Sequence, residues 1–205
     1  MKFKIQPISG DASFRKFYRL KSKKSNKIIV YTKKNKYSNL LAYASVNKFL
    51  RENKILAPKL YNHNYNKGII IIEDFGDQSY YKILLKQKNK LKIYKKIINL
   101  LIKIQKIKPK SKWKTFKNKK HSIKKYSKKI LHEESDLFLD WYLPIFANKN
   151  IKKKIRKSLS TIYNKINFAN SCFVHRDYHV QNLIKVRKKI GVIDTQDALI
   201  GNPAY

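Results

Sequence analysis

Two runs of aromatic and β-branched residues lie near the start of the chain. FRKFYRL (14–20) and KIIVYT (27–32) flank the polar stretch KSKKSN, which predicts a β-hairpin. Leu40, Tyr43, Val46 and Leu50 then recur at three- and four-residue spacing, predicting a helix over 39–53 with Pro58 beyond its end. GIIIIEDFGD (68–77) reads as a buried strand running into an acidic, glycine-containing turn.

From residue 79 the period becomes helical. Leu91, Tyr94, Ile98, Leu101 and Gln105 lie along one helical face, with Lys92, Lys95, Asn99 and Lys103 turned away and Pro109 closing the segment. Ile151, Ile155, Leu159, Ile162 and Ile166 mark a second helix. Between them HEESDLFLDWYLP reads as a helical segment with acidic and aromatic faces, ended by Pro144. After residue 170 short strands return: SCFV, NLIKV and IGVID, the last two joined by the charged turn RKK. The expectation is an α+β, two-lobed chain, with a β-rich lobe over 1–78 and a mainly helical lobe over 79–205. A cleft between lobes is a common ligand site.

The chemistry concentrates late. In HRDYHVQN, Asp177 and Asn182 are five residues apart on a loop leaving a strand, and Asp194 ends a later strand seventeen residues after Asp177. This order resembles the kinase signature of a base, an asparagine metal ligand and a strand-end aspartate metal ligand. Magnesium asks for hard oxygen ligands, here one amide oxygen and one carboxylate, with phosphates and water completing the shell. A separate carboxylate must face the substrate hydroxyl and accept its proton, and Asp177 fits that role. The rival reading is a zinc pair from His175 and His179, but their loop setting argues against a helical pair. Upstream, a turn holding Gly10 and Ser13 can present backbone N–H groups to phosphates. Backbone groups near Glu73 and Phe75 fall where a hinge between lobes would meet adenine.

Charge changes this picture less than its size suggests. The net charge is +37, yet only six of the 49 basic residues are arginine, the side chain suited to bidentate phosphate and base-edge contacts. The lysines are spread along the chain, which argues against specific nucleic-acid recognition and for a surface that drifted to lysine. The twelve acids are more informative because they are few, and none lies between 78 and 132. A single cysteine, Cys172, excludes an intramolecular disulfide and reads as a small buried strand residue. No apolar run reaches the 18 residues a membrane helix needs, so the expectation is a soluble, cytoplasmic protein.

Taken in order, GDASFRKFYRL, IIIIEDFGD, ESDLFLDWYL, FVHRDYHVQNLI and GVIDTQDALIGNPAY resemble the aminoglycoside-phosphotransferase-like kinases, from about residue 9 to the end. Within them the chain looks most like the cell-wall sugar kinases that phosphorylate the anomeric hydroxyl of N-acetylmuramate and N-acetylglucosamine. The resemblance implies a two-lobed protein-kinase-like fold, ATP and Mg2+ as cofactors, and a small amino sugar as substrate. It makes Asp177 the base and Asn182 and Asp194 the magnesium ligands. It also lays the Gly10–Ser13 turn over the ATP phosphates. Trp141 offers a flat face for a sugar, Glu134 could hold sugar hydroxyls, and Arg176 and His179 flank the base. Three departures stand out. The strand IIVYT carries no lysine to set against the phosphates; Lys33 and Lys34 follow it, and the phosphate-holding lysine stays unassigned. Thr195 stands where the family has an aromatic, which is expected to loosen packing behind the metal site. The sequence stops at GNPAY where relatives continue into a further helical part, so a fragment, or a truncated and inactive nucleotide- or partner-binding module, is the alternative.

Overall fold

A computed structural model describes residues 4–8, 14–22, 25–33, 37–109, 112–114 and 120–204. Strands β1 (Lys4–Ile8), β2 (Lys16–Lys21), β3 (Lys27–Tyr31), β4 (Leu60–Asn64) and β5 (Ile69–Glu73) form one antiparallel sheet in the order β1-β2-β3-β5-β4. The predicted hairpin is β2–β3, and the isoleucine run is the central strand β5. Its register sets Ile28 against Ile72 and Val30 against Ile70, and all four are buried on one face. Strand alternation therefore puts Lys27, Ile29 and Tyr31 on the other face.

Helix α1 (Tyr37–Glu52) lies under this sheet and belongs to two cores. Its first half buries Leu40 and Tyr43 with Ile28, Val30, Ile70 and Ile72. Its second half buries Val46, Phe49 and Leu50 with Phe173, Leu183, Val192 and Leu199 of the following lobe. Lys54, at φ 62°, turns the chain out of the helix. The amide of Ile55 donates to Leu50 O (2.9 Å) and that of Lys54 to Arg51 O (3.0 Å), which satisfies two of the last helical carbonyls. Residues 55–58 then run against the second lobe, where Val192 N donates to Leu56 O at 2.8 Å.

The second lobe contains α2 (Tyr80–Lys86), α3 (Leu91–Gln105), α4 (Lys128–Leu137) and α5 (Lys149–Lys165). It also holds three two-stranded pairs: β6 (Lys112–Lys114) with β7 (Lys120–Ser122), β9 (Leu183–Val186) with β10 (Lys189–Val192), and β8 (Cys172–Val174) with β11 (Leu199–Gly201). Cys172 is buried, as expected. Helix α3 corrects the sequence reading. Its inward stripe is Ile93, Ile97, Leu100 and Ile104, whereas Leu91, Tyr94 and Ile98 are exposed. The helix is apolar over most of its circumference, so periodicity offers two adjacent stripes and tertiary packing chooses one. Helix α5 has no buried residue and rests on α4 through polar contacts such as Lys128–Asn164 (2.8 Å). The segment read as one helix to Pro144 also breaks. After α4 a π-helical turn (Phe138–Tyr142) and a 3₁₀ turn (Leu143–Ile145) shift the phase, so Leu139 and Leu143 point inward. Phe138, Trp141, Tyr142 and Phe146 point out. No helix among the described residues is long and apolar enough to cross a membrane.

Candidate active site

The late sequence cluster folds as a strand, a loop and a hairpin. Strand β8 delivers His175, Arg176 and Asp177, and β9 and β10 form the predicted hairpin. The pairing continues past the strands, where Ile193 N donates to Asn182 O (3.0 Å), placing Asn182 beside the Ile193–Asp194 end of the partner strand. His175 ties the loop to that end. It is 2% exposed, its Nδ1 accepts from Asp177 N (3.2 Å), and its Nε2 is 3.0 Å from Ile193 O. With Nδ1 accepting, Nε2 carries the proton and donates. Burial lowers the His175 pKa from its usual value, so the ring is neutral near pH 7. His175 is thus a structural tie in the loop. Arg176 (φ 70°) and Asp194 (φ 60°) both take left-handed backbone conformations, a strain that clusters at functional sites.

Asp177 is held from both sides. Asn182 Nδ2 donates to its Oδ2 (2.6 Å) and to its backbone O (3.1 Å), while His179 Nε2 lies 3.1 Å from its Oδ1. Gln181 N donates to His179 Nδ1 (3.3 Å), which places the His179 proton on Nε2, facing Asp177. Asn182 and Asp194 offer an amide oxygen and a carboxylate from adjacent strands. Such a hard, two-ligand set is what magnesium takes beside substrate phosphates, and the residues present fit it.

A cleft of about 470 Å³ lies between the sheet and this loop. Asp177, His179, Asn182 and Asp194 line it from below, and Glu73 and Phe75 from the hinge stretch, so six predicted site residues meet there. Ile28 and Ile72 supply its apolar ceiling. At the hinge, Glu73 N donates to Lys59 O (2.9 Å), and the Glu73 carboxylate accepts from Lys59 N (3.1 Å) and Arg51 (3.2 Å). The Glu73 N–H is therefore already engaged. Phe75 packs on β10, where a Cβ added to Gly191 would fall 2.6 Å from its ring. Gly10 and Ser13 lie outside the described residues.

Other predicted residues are placed elsewhere. Glu134 and Arg176 line a second cleft of about 490 Å³, with Glu133, Gln196 and Asp197. There Glu134 accepts from both Arg176 and Tyr126. Trp141 is 78% exposed and lines neither cleft, because the π-helical turn swings it outward. It is neither a core residue nor brought to Asp177.

Several groups at the first cleft were missed in the sequence. Arg15 Nη2 donates to Asp194 Oδ1 at 2.8 Å. Arg19 spans Asp74 (Nε to Oδ2, 2.6 Å) and Asp77 (Nη1 to Oδ2 and Nη2 to Oδ1, both 2.7 Å). These hydrogen bonds raise the Arg19 pKa and hold the Asp77 carboxyl below its usual range. Thr195, fully buried, donates to Asn47 Oδ1 of α1 at 2.7 Å. Where looser packing was expected, a polar tie joins α1 to the Asp194 loop. Tyr43, on the same helix, lines the cleft, and burial and the Asp194 charge push its pKa up to about 12. The sequence signal for such groups was arginine scarcity. In a lysine-rich chain, Arg15, Arg19, Arg51, Arg156 and Arg176 each pair with a carboxylate.

Known proteins resemble this chain in sequence and in fold. The chain is 24% identical over 203 residues to the N-acetylmuramate/N-acetylglucosamine kinase of Pseudomonas aeruginosa, covering 97% of this chain and 56% of that protein. It is 20% identical over 210 residues to the enzyme of the same name from Neisseria meningitidis serogroup B, covering 99% and 59%. The chain thus spans under three fifths of the length of these relatives. Among solved structures, the ADP-bound aminoglycoside phosphotransferase APH(2'')-Ib superposes with a TM-score of 0.67 at 14% identity, over 98% of this chain and 68% of that one. The fold is that of the aminoglycoside phosphotransferases, with mixed helices and strands and an antiparallel N-terminal sheet. The phosphotransferase enzyme family (APH) matches residues 4–205, and the chain belongs to that family.

Proposed function

We propose that this chain is the nucleotide-binding and catalytic part of an ATP- and Mg2+-dependent kinase acting on a small amino sugar. The observation that carries the reading is the convergence of Asp177, Asn182 and Asp194 in one cleft below the hinge. In this reading adenine lies under Ile28 and Ile72 beside the hinge, and the phosphates point toward Asn182 and Asp194. Magnesium bound there would neutralise charge on the transferring phosphoryl group. Asp177 orients the acceptor hydroxyl and takes its proton as the acceptor oxygen bonds to the γ-phosphorus and the bond to the ADP oxygen breaks. Asn182 and His179 hold the carboxylate in place for that transfer, a positioning role.

The relatives named for N-acetylmuramate and N-acetylglucosamine support these two sugars as first acceptors, with the anomeric hydroxyl as the proposed site. The second cleft, lined by Arg176 and Glu134, adjoins Asp177 in sequence and is the proposed acceptor side. The test is ADP release with and without each sugar. Turnover should require sugar and magnesium. Asp177→Asn should lower kcat by at least about 100-fold while ATP affinity stays within a few fold. Undiminished turnover in that variant removes Asp177 from the role. Nucleotide binding without turnover on any sugar moves the reading to a binding module.

A further inference from the structure

The second cleft is chemically one-sided. The chain carries 49 basic and 12 acidic residues, yet three of those acids, Glu133, Glu134 and Asp197, line this one cleft. Among the described lining residues, two cations accompany them, Lys124 and Arg176. Arg176 is engaged with Glu134, which also accepts from Tyr126. Drift of the surface toward lysine runs against such an excess of carboxylates.

Two amide carbonyls add to the acceptors. Gln196 is 8% exposed, and its Nε2 donates to Asp197 Oδ2 at 2.8 Å. A carboxylate needs a donor, so this bond fixes which end of the amide it meets. The other end, Oε1, is buried and finds no donor among the described residues. The same holds for Oδ1 of Asn39, a lining residue from the first turn of α1. A buried carbonyl without a donor is costly, and a ligand rich in O–H and N–H groups supplies what it lacks.

The lining therefore favours a ligand with many donors and no negative charge. Both proposed sugars offer hydroxyls and an amide N–H. N-acetylmuramate differs by a lactyl ether, which replaces a hydroxyl donor with a carboxylate. Set among Glu133, Glu134 and Asp197, that group would meet like charge. Repulsion of this kind separates ligands that share most of their contacts.

We propose that the second cleft selects an uncharged N-acetylhexosamine over one that bears a carboxylate, with Asp197 and Glu133 as the discriminating residues. Gln196 holds the Asp197 carboxylate for that task. This rests on the kinase reading above and deepens it by naming the acceptor class.

The experiment titrates the full chain with N-acetylglucosamine, N-acetylmuramate and the methyl ester of N-acetylmuramate by ligand-observed NMR. ADP release from Mg·ATP is measured with the same three sugars. N-acetylglucosamine should bind at least about 10-fold more tightly than N-acetylmuramate. The ester keeps the lactyl bulk and removes the charge, so it should recover most of that gap. Added salt should narrow the gap for the acid and leave the ester unchanged. Asp197→Asn and Glu133→Gln should each narrow the ratio of the two sugar affinities several-fold. A ratio is insensitive to partial loss of folded protein, and the ester comparison needs no variant. Equal affinity for the two sugars, tighter binding of the acid, or an ester that binds no better than the acid overturns the inference, and ADP release with either sugar then leaves the kinase reading standing. An unchanged ratio in both variants removes Asp197 and Glu133 from the role. Selective binding of N-acetylglucosamine without ADP release supports the selection and overturns the kinase reading. A chain that binds none of the three sugars overturns the selection outright.

Discussion

Thr195→Val is the cleanest probe of how α1 holds the proposed metal loop. The change removes a hydroxyl and keeps the side-chain shape, so it opens no cavity. Thr195 is 0% exposed and Asn47 1%, and their hydrogen bond spans 2.7 Å between residues 148 positions apart. Water cannot replace the lost donor at so buried a place. The penalty is the desolvation of an unpaired Asn47 oxygen, about 1–3 kcal/mol. For a chain of this size each kcal/mol lowers the melting midpoint by about 2–4 °C. Asn47→Leu should cost a similar amount, because it strands the threonine hydroxyl. The double variant should cost clearly less than the sum of the two, since neither partner is then left unpaired. Urea unfolding of the four proteins gives the coupling directly. Thr195 also follows Asp194, so Thr195→Val should weaken magnesium-dependent ATP binding more than adenosine binding. Strictly additive costs, or a Thr195→Val chain as stable as wild type, would show that the bond carries no energy.

Two further outcomes are expected. Arg19→Met should destabilise the chain by about 3 kcal/mol, because Asp74, with its side chain 5% exposed, is left as a nearly buried unpaired carboxylate. Asp77→Asn should cost under about 1 kcal/mol, because Asp77 is 64% exposed; equal losses in urea melts would contradict this ordering. His175 predicts a pH effect. Its folded pKa is lowered by burial, so below about pH 6.5 the unfolded chain binds a proton that the folded chain resists. Stability should therefore fall as pH drops from 6.5 toward the lowered folded value. His175→Asn should be less stable overall, yet lose that part of the slope; parallel curves for the two proteins would count against a neutral buried ring.

The first cleft was legible because its chemistry is local. Asp177 and Asn182 share one loop, and Asp194 ends the hairpin that begins at Asn182, so spacing alone fixed their neighbourhood. The β2–β3 hairpin and the buried β5 were legible for the same reason, as period-two patterns bounded by polar turns. What linear order could not rank were contacts between distant segments. Arg15 meets Asp194 across 179 positions and Asn47 meets Thr195 across 148. A sequence gives the groups in such pairs but no reason to match them.

The sequence by itself determined which residues make up the proposed catalytic set, the strand-to-helix switch near residue 79 and the scarcity of acids and arginines that marks paired positions. Tertiary structure decided what alternatives of equal periodicity could not. It turned the Ile93–Ile97–Leu100–Ile104 stripe of α3 inward in place of its neighbour, because only one stripe can meet the core. It let a π-helical turn carry Trp141 away from the site, a phase shift that no residue spacing announces. It also assigned a buried arginine to the proposed metal aspartate, because burial makes an unpaired charge costly and so fixes which opposite charges must meet.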